Sequence, residues 1–399
     1  VILFDWDKAE HLMRQAGVDI LLPHTLLNAG YLADHWYHLV NTTVGPYTTF
    51  DVDETYQLLV GLPRDRKIEP FTTCRRGAEE GEMYVWDVWI KDKRIWGPNV
   101  LPRAFNSPLG PPATDLYPDP YAAAAAALRE RRLDRAVIGV EKLFLSSQAW
   151  EKLRRALPEA EFREVTPLFL ELRAVKSEEE VRRVRRVTHA TQGALAAAIG
   201  ALRPGTTGLE LEQVLGAEHY RAGVRHEWCH TQMGPCGVDI TAPNPAPARA
   251  GEMVRIDVGA SYRGYQSDLS PVVAVGEPSA ELRRVHADVR RALEAVLAEL
   301  RPGVAATRPY DVADRIFRET SHANYLMYVA HGVGRNVHEE PVLAPGSRWT
   351  LAKGMTLAVE LVTVVPQLGM IGLEDDVVIT ADGYEDLTTI GRLLHVVPA

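Results

Sequence analysis

The chain has 399 residues, 46% of them apolar and 24% charged, a composition that fits an ordinary globular protein and excludes a disordered or fibrous one. That length exceeds what one hydrophobic core supports, so two domains are expected. A formal net charge of −9 argues against nucleic acid as the main partner, since phosphate binding needs a basic surface, and three irregularly spaced cysteines are too few for a disulfide framework. No apolar run is long enough for a bilayer, and the opening Val1-Ile-Leu-Phe-Asp-Trp-Asp7 lacks a basic region and a cleavage site. No membrane association and a cytoplasmic location are expected.

Residues 9–17 read as a helix closed by glycine, and 18–22 as a buried strand. Residues 86–90 read as a strand, 119–132 as an alanine-rich helix, 137–140 as a short strand and 147–156 as a helix. Residues 105–120, rich in proline and glycine, read as a loop. Strands alternating with helices at this spacing predict a small α/β domain over residues 1–172. In it, His35-Trp36-Tyr37-His38 forms either an aromatic core cluster or an arm toward a neighbouring subunit.

Residues 166–176 read as the domain junction, with the second domain over 173–399. Ser177 and Glu180 form a capping box that starts a helix, whose apolar positions Val181, Val184, Val187, Leu195 and Ile199 keep the helical period. That helix ends at Leu202-Arg-Pro-Gly205. The same phrase recurs as Leu300-Arg-Pro-Gly303 after a second long helix, and each copy is followed by another helix and then strands. A repeat of this length is too long for a solenoid unit, so the region reads as two α+β halves related by a pseudo-twofold axis.

Each half carries acids where an apolar strand should have none. Gly251 leads through a short apolar strand to Asp257, with Asp268 eleven residues on; Gly354 leads likewise to Glu360, with Glu374 fourteen residues on. His331 and His338 lie between the pairs. Buried carboxylates must be paired or bind a cation, so four of them with an imidazole suit two divalent metals. Oxygen ligands with one imidazole favour Mn2+, Co2+, Zn2+ or Fe2+ over a cysteine-rich structural zinc site. Bridging carboxylates can hold two such ions about 3.5–4 Å apart, a site type that supports hydrolysis.

A competing motif is His226-Glu-Trp-Cys-His230, which matches H-E-x-x-H. That chemistry needs a helix, whereas residues 225–233 read as a strand. On a strand His226, Trp228 and His230 share one face and are candidates to line the pocket.

Over about residues 175–395 the chain resembles the pita-bread metallopeptidases of family M24, and over nearly its whole length their prolidase, aminopeptidase P and creatinase branch. The phrases that carry the resemblance are Ile256-Asp-Val-Gly-Ala260 with Gly264-Tyr-Gln-Ser-Asp268, His331-Gly-Val-Gly-Arg-Asn-Val-His338-Glu-Glu-Pro341, and Gly372-Leu-Glu374-Asp-Asp376. The resemblance implies a pita-bread fold preceded by a smaller creatinase-like α/β domain. It implies Asp257, Asp268, His331, Glu360 and Glu374 as ligands of two ions (Mn2+, Co2+ or Zn2+), with Asp268 and Glu374 bridging. Glu360 would also handle the proton of the attacking water, and His338 would hydrogen-bond the substrate or tetrahedral intermediate. The expected activity is that of an exopeptidase acting on short peptides, and the expected assembly is a homodimer.

The chain departs from that pattern in its recognition residues. No histidine occurs between Pro235 and Ile256, Met327 stands where a histidine is common, and Gly372 where an arginine is common. Arg335 replaces an aliphatic residue. Xaa-Pro selectivity therefore does not follow. Arg335 is a candidate anchor for a substrate carboxylate, because a guanidinium binds one bidentately, which would make the enzyme a carboxypeptidase or dipeptidase. A non-peptide C–N hydrolase on the same scaffold and a non-catalytic binding protein are the further alternatives.

Overall fold

The computed structural model describes residues 1–36, 58–75, 88–97, 117–236, 242–320 and 322–399, and the chain divides into two compact units, Val1–Arg173 and Ala174–Ala399. Among the described residues no helix is long and apolar enough to cross a membrane.

In the first unit α1 (Trp6–Ala16) starts at Asp5, whose carboxylate accepts from the amides of Asp7 and Lys8, and ends at Gly17 in the left-handed conformation (φ 61°). β1 (Ile20–Leu21), α2 (Leu26–Ala33), β2 (Val60–Pro63), β3 (Phe71–Arg75) and β4 (Asp92–Trp96) follow. Then come α3 (Pro120–Glu130), β5 (Val137–Val140), α4 (Ser147–Ala156), β6 (Glu161–Glu164) and α5 (Thr166–Ala174). The strands form one mixed sheet in the order β4-β3-β2-β1-β5-β6. Glu141, fully buried beyond β5, accepts from the amides of His24 and Thr25, the Thr25 hydroxyl and the Asn28 amide, so its charge is met by donors at the start of α2.

Three expectations shift here. Of the strand expected at 86–90, residues 86 and 87 lie outside the described residues and 88–90 are not in a strand; the strand of this region is β4, at Asp92–Trp96. β4 is an edge strand, half-buried and charged (Asp92, Lys93, Arg94), so it lacks the apolar run that marks an interior strand. The junction expected at 166–176 is mostly the helix α5. Of the aromatic cluster, Tyr37 and His38 lie outside the described residues, as do 105–116 of the expected loop.

The second unit is built twice. α6 (Glu178–Ala201) begins at the Ser177/Glu180 capping box, with both of its reciprocal hydrogen bonds present. α7 (Gly208–Arg221) follows, then β7 (Arg225–Met233), β8 (Met253–Tyr262), β9 (Tyr265–Gln266) and β10 (Val272–Val275). The second half has α8 (Ala280–Glu299), α9 (Thr307–Thr320), β11 (Ala330–Gly332), β12 (Glu339–Leu343), β13 (Thr356–Val365), β14 (Gly369–Ile379) and β15 (Tyr384–Asp386), with β16 (Leu394–Val397) last. One sheet runs β16-β10-β8-β7 with β9 beside β8; the other runs β12-β11-β13-β14-β15.

Each sheet carries its own helix pair and core. Leu195, Leu211 and Leu215 pack with Val254, Ile256 and Val258 in the first half. Val285, Val289 and Leu293 pack with Leu357, Val359 and Leu361 in the second. Truncating any of these leucines, or Ile256, to alanine would cost about 2–5 kcal/mol.

Candidate metal centre

The helix-facing residues of β8 and β13 are alternate ones, and strand alternation sends the intervening residues to the opposite face. On β8 these are Arg255 and Asp257, between Val254, Ile256 and Val258. On β13 Glu360 lies between Val359 and Leu361, and on β14 Gly372 and Glu374 flank Leu373. Glu360 and Glu374 stand directly opposite each other in the β13–β14 ladder, and His230 stands opposite Asp257 in β7–β8. Asp268 follows β9, where Leu269 and Val258 exchange backbone hydrogen bonds. His331 sits on β11, in register with Ala358 of β13.

The side chains converge. His331 Nε2 lies 3.6 Å from Asp268 Oδ2 and 3.6 Å from Glu374 Oε1. Donor atoms of Asp257, Asp268 and Glu374 lie within 4.8 Å of one another, as do those of His331, Glu360 and Glu374, and those of Asp268, His331 and His338. Of the five ligand candidates, four offer a buried acceptor with no hydrogen-bond partner among the described residues: Asp257 Oδ1, Asp268 Oδ1, Glu374 Oε1 and His331 Nε2. The His331 Nδ1 lies 3.2 Å from the Gly332 carbonyl oxygen, so a proton on Nδ1 leaves Nε2 as a lone-pair donor aimed at the carboxylates. Unpartnered acceptors in a buried cluster fit divalent cations and fit little else.

The electrostatics agree. Burial, followed by the charges of neighbouring carboxylates, holds Asp268 and Glu374 well above the usual carboxylate range. Burial and the charge of Glu374 raise Glu360 to about 8, against the lowering effect of Arg255. Burial lowers His331 in spite of the raising charge of Glu360, a direction that favours the neutral ring a ligand needs. The His338 ring centroid lies 4.0 Å from that of His331; burial, then His331, lowers it to about 4.

Sequence reasoning missed three groups. Arg255 is buried in the cluster, its Nη2 donating to Glu360 Oε1 at 2.9 Å and lying 3.0 Å from Asp257 Oδ2. Burial lowers its pKa, but the surrounding carboxylates outweigh that and leave it above the ordinary value. Tyr328 donates its hydroxyl to Glu360 Oε2 at 3.3 Å and packs edge-on against His331. Asp376, raised to about 8 by burial, accepts from the Thr188 hydroxyl at 2.7 Å and from the Asp268 amide at 3.3 Å. For Asp376 the signal was present: it is a third acid on β14 at the same alternation as Gly372 and Glu374.

The remaining candidates are dispersed. β7 is a strand, so H-E-x-x-H does not have the helix that zinc-peptidase chemistry requires. A β-bulge between His226 and Trp228 interrupts the register, pairing His226 with Ala260 and Trp228 with Gly259. The expectation that His226 shares a face with His230 is thereby corrected: His226 stacks on His219 of α7, with Nδ1 atoms 3.0 Å apart. His230 remains opposite Asp257, its ring against Trp228. Arg335 is only 8% exposed, its guanidinium 5.8 Å from the Tyr265 ring, which Arg183 also approaches at 5.6 Å.

A chain with this architecture has close counterparts. The Xaa-Pro dipeptidase of Lactobacillus helveticus is 29% identical over 290 residues, covering 70% of this chain and 78% of the relative. The Xaa-Pro dipeptidase of Lactobacillus delbrueckii subsp. lactis is 27% identical over 405 residues, 98% of each. Among solved structures, the Xaa-Pro dipeptidase from Bacillus anthracis aligns with TM-score 0.78 at 20% identity, over 98% of this chain and 99% of that one. The X-Pro aminopeptidase from Thermotoga maritima aligns with TM-score 0.76 at 19% identity, over 97% and 100%. These likenesses give the fold, the pita-bread one. The model of metallopeptidase family M24 matches residues 182–381, half of the chain, which includes the whole acidic cluster, and the protein belongs to that family of peptide hydrolases.

Proposed function

We propose that the protein is a dinuclear exopeptidase hydrolysing short peptides, in the manner of a dipeptidase. The observation that carries the reading is the pair of donor triads, Asp257/Asp268/Glu374 and His331/Glu360/Glu374, which share Glu374 in a buried cluster rich in unpartnered acceptors. Shared carboxylates support two ions, which Asp257, Asp268, His331, Glu360 and Glu374 would hold, and the donor set supports Mn2+, Co2+ or Zn2+. Bound there, such ions supply Lewis acidity toward the scissile carbonyl and a water that ionises near neutral pH.

The chain's own groups do the rest. Glu360 receives the proton of the attacking water, with Tyr328 and Arg255 fixing its two oxygens. His338, neutral at physiological pH and beside His331, donates a hydrogen bond to the developing oxyanion. The relatives' names support dipeptides as substrates, and Xaa-Pro among them. The altered recognition residues, including an 83% exposed Met327 and Gly372, weigh against strict proline selectivity. A carboxypeptidase anchored by Arg335 is the weaker reading, given that side chain's burial against Tyr265. Cysteine-poor composition supports a cytoplasmic setting, and family resemblance a homodimer.

The test is an assay of chelator-stripped protein reloaded with Mn2+, Co2+ or Zn2+, on free, N-blocked and C-amidated peptides including Xaa-Pro, with bound metal counted by mass spectrometry. Two ions per chain and cleavage of free dipeptides are expected. A stripped protein that stays fully active would refute the proposal.

A further inference from the structure

The second half of the fold leaves a hole at Gly372, and the first half fills it with a charge. A Cβ built on Gly372 would meet Arg255 Nε at 2.5 Å, Cζ at 3.0 Å and Nη2 at 3.1 Å. Arg255 belongs to β8 and Gly372 to β14, so the side chain crosses the seam between the halves. Its Nη1 donates to Gln232 Oε1 at 3.2 Å and approaches Met370 Sδ at 3.8 Å. Its Nη2 reaches Asp257 and Glu360 together. Those two carboxylates belong to different donor triads, one from each half.

We propose that Arg255 is a positioning residue that locks Asp257 and Glu360 into ligating orientation, and that Gly372 is the seat that admits its guanidinium. The inference rests on the metal-centre reading above. The planar guanidinium, fixed through Nη1 by its bond to Gln232, restricts both carboxylates at once through Nη2, which a flexible point charge does poorly. Groups that orient metal ligands from outside the coordination shell are worth about 10- to 100-fold in metal affinity. A purely electrostatic role predicts the opposite sign: deleting a cation from a carboxylate cluster strengthens its attraction for another cation.

The sign therefore decides. Calorimetric titration of stripped, full-length protein with Mn2+ alone is expected to show weaker binding by about 10- to 100-fold in Arg255→Leu, and a comparable weakening in Arg255→Lys, which keeps the charge and loses the fork. In the assay on reloaded protein kcat should fall, with KM changed by less than about threefold. Because the Gly372 Cβ direction points into the guanidinium volume, the double variant Arg255→Leu/Gly372→Arg should recover most of the lost affinity. Circular dichroism checks the fold of each variant, and Arg255→Lys decides the matter should the leucine variant not fold. Unchanged or tighter Mn2+ binding in a folded single variant overturns the proposal, and a folded double variant no better than the single one overturns the role of Gly372. A parent protein that takes up no Mn2+ removes the metal-centre reading and this inference with it; a parent that binds while the variants match it removes only the inference.

Discussion

Ser270 and Glu374 exchange both backbone hydrogen bonds, Ser270 N to Glu374 O at 3.2 Å and Glu374 N to Ser270 O at 3.1 Å. This bridge joins the first half of the catalytic unit to the second, as does the bond from Gln266 N to Gly334 O at 2.8 Å. It lies two residues from Asp268 and at Glu374 itself, so the residues assigned as shared ligands sit on the seam. Gly391 protects the arrangement from the other side: a Cβ there would overlap the Glu374 carbonyl oxygen.

Glu360→Gln keeps the size, leaves one oxygen to accept from Arg255 or Tyr328, and removes the proton acceptor. Peptide hydrolysis should fall by about 10²–10⁴-fold. Far-UV circular dichroism should be unchanged. Retention of parental kcat in the reloaded variant would remove Glu360 from its assigned role.

Tyr328→Phe deletes one hydrogen bond to Glu360 and leaves the ring against His331. A bond from a hydroxyl to a charged acceptor is worth about 1.5–3 kcal/mol, so kcat should drop by roughly 10- to 100-fold. Mn2+ affinity should stay close to that of the parent. A large loss of affinity with intact turnover at saturating metal would reassign Tyr328 to holding the ligand rather than serving the reaction.

Arg335→Ala tests the carboxylate anchor directly. Because the guanidinium packs on Tyr265, its loss should lower the melting temperature and change KM for free and C-amidated peptides alike. A rise in KM of about tenfold or more, roughly 1.4 kcal/mol, confined to free C-termini would restore the anchor.

Glu180 supplies a pH signature away from the ligands. Burial raises it from 4.5 to about 6, although the Ser177 amide and the Tyr265 hydroxyl both hydrogen-bond it. A folded pKa above the unfolded one means the folded state holds more protons between pH 4.5 and 6. Stability associated with this group is present below 4.5 and is lost as pH rises through 6. Relative to Glu180→Gln, the parent should therefore lose on the order of 2 kcal/mol across that window. Denaturant titrations at several pH values measure the difference; a flat difference would mean that Glu180 titrates normally.

Most of the helices of the second unit and the candidate ligands were legible in short-range patterns of the sequence. Capping at Ser177, the repeated Leu-Arg-Pro-Gly and the acids in apolar strands are short-range patterns, and alternation of two residues per strand turns them into one functional face. It gave no warning of the bulge that turns His226 toward His219, since an inserted residue depends on how two strands pair rather than on either one. Nor did it mark Arg255, which reads as an anomaly in an apolar strand until β14 arrives with a glycine opposite it. The tertiary structure decided these points because burial and charge pairing belong to contacts between distant segments. The same packing buried Arg335 beside Tyr265 and brought the four carboxylates and His331 together.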